Sequence, residues 1–158
     1  MNILAIDPGP VESAYVIWDG HQILAFNKCS NSVLLYQLYN QVTLSDYGPP
    51  ADVCIIEQIK SYGMPVSDSI FDTVYWSGRF REAWADKGYF DRIPRREVKL
   101  HLCGSMRAKD GNIIQALKNR FESDLKPRQR PKGILKGMRS DIWQALALAV
   151  YWSDTNVR

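Results

Sequence analysis

The sequence predicts one α/β domain, and three features predict it. Short β-branched and aromatic runs punctuate the chain, helical apolar periodicities separate the later ones, and neither an internal repeat nor a second core divides residues 1–158. A chain of 158 residues can bury about two thirds of its unfolded surface. Its apolar fraction of 46% is ordinary, and no apolar run approaches the ~18 residues that cross a membrane. Asn2 leads straight into a strand, without a basic leader or a small-residue cleavage site, so the expected location is cytoplasmic. Cys29, Cys54 and Cys103 are odd in number and widely spaced, which suits reduced thiols. With only His21 and His101, a His-rich metal site or a Ser-His-Asp triad has little support.

The elements follow in order. "NILAID" is a short apolar strand, buried on both faces, that ends on Asp7 before a Pro8-Gly9 turn. "SAYVIWDG" is a second strand closing on Asp19-Gly20, a hairpin signal, and "HQILAFNKC" pairs back as the third. In "SVLLYQLYNQVT", Val33, Leu34, Leu38 and Val42 recur at helical spacing, with Ser30 or Ser32 as a cap, until "SDYGPPA" breaks the helix. "DVCIIEQI" is another buried strand, and it too carries an acid at its end, Glu57. The loop "KSYGMPV" precedes a long helix, capped by Ser67 or Asp68 and running to about Lys87.

That helix has two apolar faces, one marked by Ile70, Phe71, Val74, Ser77 and Gly78, the other by Trp76, Phe80, Ala83 and Trp84. One would cover the sheet. The other, with Gly78 as a small contact point, suits a partner helix, so a homodimer is expected with Phe71, Trp76, Gly78 and Phe80 at its interface. A helix sandwiched within one domain would show the same pattern. "YFDRIPRREVKLHL" reads as a strand, and "AKDGNIIQALKNRFE" as an amphipathic helix with Ile113, Ala116, Leu117 and Phe121 on its face. "SDLKPRQRPKGILKGMR" is a basic loop, and "SDIWQALALAVYW" is the last helix.

Asp7 and Glu57 repeat one anomaly, an ionised group at the end of an apolar strand. Burying a lone carboxylate is costly unless it is paired or bound to a metal. Asp141, a third acid, begins an apolar, alanine-rich helix. Each has a plain structural explanation: Asp7 as a turn residue, Glu57 as an edge residue reaching solvent, Asp141 as an N-cap with Gln144 completing a capping box. Together they resemble a phosphodiester-cleaving set, in which carboxylates hold two Mg²⁺ ions about 4 Å apart. Charge is also polarised. Residues 1–90 carry five Lys/Arg against ten Asp/Glu, and residues 91–158 carry fifteen against seven. A polyanion-binding surface beside an acidic metal site would look like this, as would an unevenly solvated surface.

The motifs carry a resemblance to RuvC-type Holliday junction resolvases. "IDPGPVESAY" resembles that family's opening motif, and "IIEQIKS" its second acidic motif. "RREVKLHLCGSMRAKDGNIIQAL" is similar to its Val-Lys strand, glycine turn and helix, and "SDIWQALALA" to its final Asp-containing helix. The four occur in the family order between residue 1 and about residue 150, and the short chain and its ending look most like bacteriophage members acting in a bacterial host cell. The resemblance implies an RNase H-like fold, a five-stranded mixed β-sheet flanked by α-helices. It implies Asp7, Glu57 and Asp141 as catalytic, metal-binding carboxylates, Mg²⁺ or Mn²⁺ as cofactor with two ions per site, and a homodimer that nicks four-way junctions to leave a 5′-phosphate and a 3′-hydroxyl.

Three positions depart from the pattern. Gln144 stands where many members place a fourth carboxylate; its amide oxygen can ligate or orient a water but adds no charge, and Glu12 is a candidate to compensate. Ala14 replaces a glycine, and the family's helical lysine falls on Asp110, with Lys109 beside it. For a junction, phosphate contacts are expected from Lys99, Arg107, Lys109 and, in the basic loop, Arg128, Arg130, Lys132, Lys136 and Arg139. Lys60 and Tyr62 follow Glu57 and should overhang the site, where Tyr62 either stacks on a base or simply packs. Two other readings stand beside the resolvase: a nuclease of the same fold acting on other branched DNA or on RNA–DNA hybrids, and a junction-binding module without catalysis.

Overall fold

Asp19 shows how local chemistry starts the fold. Its Oδ1 accepts the backbone N–H groups of His21 and Gln22, both at 2.8 Å, and Gly20 adopts φ +103°, closing the hairpin foreseen at Asp19-Gly20. In the computed structural model, which describes residues 1–40, 50–126 and 128–157, that hairpin joins β2 (Glu12–Trp18) to β3 (Ile23–Ser30). With β1 (Ile3–Asp7), β4 (Val53–Gln58) and β5 (Tyr89–Pro94) they make a five-stranded sheet of order β3-β2-β1-β4-β5. β1, β2 and β3 meander antiparallel, whereas β4 and β5 run parallel to β1, each reached through a helix. The mixed sheet is the expected one.

Strand alternation sorts the core into two layers. Leu4, Ile6, Tyr15, Ile17, Cys54 and Ile56 face α1 (Asn31–Asn40) and α2 (Asp68–Trp84). Ile3, Ala5, Ala14, Val16, Val53 and Ile55 face α5 (Ile142–Asn156), which α3 (Arg95–Cys103) and α4 (Asp110–Phe121) back from outside. Every residue from Ile142 to Val150 is buried, because α5 lies between the sheet and that second helical layer. Asp154, near the end of α5, accepts from Arg120 and contacts His101, tying the three helices together.

Two expectations are corrected. "RREVKLHL" is helical, not a strand. Pro94 ends β5 in an extended conformation and serves as the N-cap of α3, and Gly104 (φ 68°) closes that helix by donating to the Leu100 carbonyl. Val98, Leu100 and Leu102 mimic strand alternation, yet Leu100 is 49% exposed while Val98 and Leu102 pack inward at i, i+4 spacing. Phe80, expected between two copies, is fully buried within this chain alongside Ala83 and Trp84. The other expected interface positions lie further out: Trp76 packs partly on this core, and Phe71 and Gly78 are exposed. Val42, assigned to α1 by periodicity, lies outside the described residues.

Gly88, between α2 and β5, has φ +155°, and a Cβ there would meet the Asp52 carbonyl oxygen at 2.4 Å. Gly88→Ala should therefore lose about 1–3 kcal/mol in urea unfolding. Gly111→Ala, with nothing within 4 Å of the added carbon, should lose none.

Candidate active site

Period-two geometry delivers the first two acids. Asp7 follows Ile3 and Ala5, and Glu57 follows Val53 and Ile55, on the sheet face that α5 covers. Ile6 pairs with Ile56, so the two acids leave adjacent parallel strands side by side. Asp141 immediately precedes α5 and comes to the same end of the sheet. It occupies the N-cap position, but its carboxylate makes no capping bond and turns to Lys28 instead. The structure thus brings together all three acids named from the sequence.

A buried polar network fixes the turn behind Asp7. Ser13 Oγ donates to Asn31 Oδ1 at 2.6 Å and accepts the Gly9 N–H at 3.2 Å, while Asn31 Nδ2 donates to the Gly9 carbonyl at 2.9 Å. Ser13 and Asn31 are each 1% exposed. A side chain at Gly9 would place Cβ 2.3 Å from the Glu12 carbonyl, so the position needs glycine for close approach.

Three charged groups missed in the sequence complete the site. Cross-strand register aligns Asp7 with Ala14 and Ala14 with Lys28. The small Ala14 leaves room for Lys28, whose Nζ lies 2.6 Å from Asp141 Oδ2 and 3.9 Å from Glu12 Oε2. From the β5–α3 junction Arg95 reaches Glu57 Oε2 at 3.1 Å and Asp110 Oδ1, at the start of α4, at 2.7 Å. Lys28 was legible only through the register. Arg95 and Asp110 are hidden in the sequence because α3 carries strand-like alternation and Asp110 stands only where the resemblance expects a lysine.

The electrostatics follow from burial and crowding. Burial holds the Asp7 carboxyl well above the usual aspartate range, reinforced by Glu57, Asp141 and Asp110 and opposed by Arg95. Glu57 is raised too, first by burial and then by Asp110, while Arg95 and Lys99 pull it down. Lys28 is raised, chiefly by its hydrogen bond to Asp141.

Hard carboxylate oxygens in such a negative field suit a divalent cation such as Mg²⁺ or Mn²⁺ by donor type and charge. As arranged, the Asp141 and Glu57 oxygens are engaged by Lys28 and Arg95, and among the described residues no three His, Cys, Asp or Glu side chains are grouped closely enough to hold an ion. Gln144 is 8% exposed one turn into α5. A cleft of about 560 Å³ opens beside Glu57 between α2 and β5, with Gly78, Arg81, Phe90 and Arg92 in its walls.

The expected phosphate contacts fall in three places. Lys99 lies on α3 near Glu57, Lys109 precedes α4, and Arg107 is exposed on the α3–α4 connection. Arg128, Arg130, Lys132, Lys136 and Arg139 are exposed, on a loop that is pinned rather than loose. Glu122 accepts the N–H groups of Lys132, Gly133 and Leu135, and Leu135 and Met138 are buried. Lys60 is exposed after β4, and Tyr62, 44% exposed, lies under the Arg96 guanidinium at 3.5 Å.

A raised carboxyl pKa means that the folded state binds more protons than the unfolded one, so stability falls as pH rises from the ordinary aspartate value of 3.8 through the folded value. Asp7→Asn should reduce that decline to the part Glu57 contributes and raise the melting temperature of ion-free protein at neutral pH. Asn31→Ala, which strips partners from Ser13 and Gly9, should lower stability by about 1–3 kcal/mol. Thermal scans from pH 4 to pH 8 and urea unfolding check the two outcomes.

By sequence, no protein-family model and no curated protein matches the chain. Solved structures do match in fold. A Thermus thermophilus RuvC structure superposes with a TM-score of 0.66 at 14% identity, covering 98% of this chain and 96% of that one. T. thermophilus RuvC in complex with a Holliday junction substrate gives 0.67 at 17% identity, covering 96% and 92%. The yeast mitochondrial Holliday junction resolvase gives 0.62 at 13% identity, covering 96% and 77%. At these identities the likeness is one of architecture: the chain has the fold of RuvC-type resolvases, end to end.

Proposed function

We propose that this protein is a metal-dependent nuclease that resolves four-way DNA junctions. The observation that carries the reading is the convergence of Asp7, Glu57 and Asp141 at one end of a RuvC-like sheet. Asp7, Glu57 and Asp141 would hold Mg²⁺ or Mn²⁺, two ions per site, with Gln144 lending an amide oxygen. When bound, the ions supply Lewis acidity and a water of lowered pKa, which phosphodiester hydrolysis needs at neutral pH. The cut expected from in-line attack leaves a 5′-phosphate and a 3′-hydroxyl. Lys99, Lys109, Arg107 and the pinned basic loop offer phosphate contacts, and Lys60 and Tyr62 flank the scissile position. A substrate with twofold symmetry calls for two sites, and a second copy across α2 would supply the other. Phe71, Val74 and Tyr75, all at least 49% exposed, are the face offered to it.

Gln144 favours a second reading, a junction-binding module, since it removes one negative charge from the site. An end-labelled four-way junction should be nicked in pairs with Mg²⁺ or Mn²⁺, and not by Asp7→Asn. Linear duplex and RNA–DNA hybrid should remain intact. Tight junction binding without cleavage in either metal would establish the binding module. The double variant Phe71→Asp/Val74→Asp should be monomeric by light scattering and make single nicks; an unchanged dimer would place the interface elsewhere.

A further inference from the structure

Arg95 stands between two carboxylates of unlike exposure. Its Nη1 donates to Glu57, 3.1 Å from Oε2 and 3.4 Å from Oε1, and its Nη2 donates to Asp110 Oδ1 at 2.7 Å. The Glu57 side chain is 14% exposed and the Asp110 side chain 61%. One guanidinium fork is therefore shared between an inner acid facing the site and an outer acid facing water. A guanidinium on the Glu57 oxygens takes the lone pairs that face it and repels a divalent cation placed on the same carboxylate, so the two compete. A guanidinium displaced from Glu57 would be costly to leave unpaired in a half-buried position. Asp110 removes that cost, because the shorter of the two contacts survives the exchange. Lys28 on the other side differs: its close contact, at 2.6 Å, is to Asp141 itself, and Asp141 and Glu12 are about equally exposed.

We infer that Arg95 is a positioning residue that occupies Glu57 in the ion-free site, and that Asp110 draws Arg95 aside when a divalent cation takes Glu57. This rests on the metal-nuclease reading and adds to it a built-in competitor with its own receiving carboxylate. Asp110 assists ion binding without ligating the ion, and Arg95 opposes it.

Calorimetric titration of Ca²⁺ into intact protein tests this without relying on cleavage. Arg95→Gln should bind Ca²⁺ about tenfold tighter than the parent. Asp110→Asn, which leaves Arg95 with Glu57 alone, should bind several-fold weaker. The double variant should match Arg95→Gln, because Asp110 matters only through Arg95. Lys99→Gln removes the same charge without occupying Glu57 and should change affinity about twofold or less. If Arg95→Gln does not fold, Arg95→Lys serves, since an ammonium cannot span both acids with a fork and should also bind tighter. A double variant as weak as Asp110→Asn makes Asp110 a ligand and overturns the inference. So does weaker binding by Arg95→Gln, or a Lys99→Gln effect equal to it. A parent protein that binds no Ca²⁺, Mg²⁺ or Mn²⁺ overturns the metal-nuclease reading itself and the inference with it.

Discussion

A carboxylate held at the end of a central, doubly covered strand is the constraint on which the rest of this structure depends. Asp7 is crowded by Glu57, Asp141 and Asp110 while burial withdraws it from water, so its ionised form is unfavourable unless positive charge is brought to it. Lys28 arrives across the β1–β2–β3 register and Arg95 from the end of β5, one on each side. The scaffold must hold these groups in place against their own repulsion. It does so with apolar packing on both sheet faces and with the buried Ser13–Asn31 network behind Gly9.

The same arrangement makes stability and function pull in opposite directions. A protein selected for stability alone would replace Asp7 with an apolar residue and lose little, since buried ion pairs seldom stabilise relative to well-packed hydrophobic side chains. Four acids and two bases kept at one end of a rigid sheet are what the proposed function, with a cation and a polyanion bound there, would require. α5 contributes through its position: Asp141 enters the site because the apolar run behind it is locked between the sheet and α3–α4.

The basic face and the acidic site are joined by short connections. α3 starts at Arg95 within the site and carries Lys99 beside it, and α4 starts at Asp110. The loop after α4 is shaped by one carboxylate, Glu122, and two buried side chains, Leu135 and Met138, so its exposed cations are displayed from a fixed frame. Fixed cations lose less entropy on meeting phosphates than cations on a loose linker would.

Much of this was legible in the chain itself. Acids that end apolar runs, the Asp19-Gly20 turn, alternation in β1 and β4 and periodicity in α2, α4 and α5 are local signals, set by side-chain spacing along a strand or helix. They were enough for the α/β class and to single out Asp7, Glu57 and Asp141, which the fold brings to one end of the sheet. Tertiary structure alone decided the partners. Lys28 and Asp141 are 113 residues apart, Arg95 and Glu57 are 38 apart, and no spacing rule reaches that far. It also decided that "RREVKLHL" is a helix and that Phe80 is core, because both depend on which neighbour buries an apolar face. The sequence could show that charge had been placed where charge is costly; only the folded chain shows which cations meet it there, since that pairing depends on strand register and helix placement.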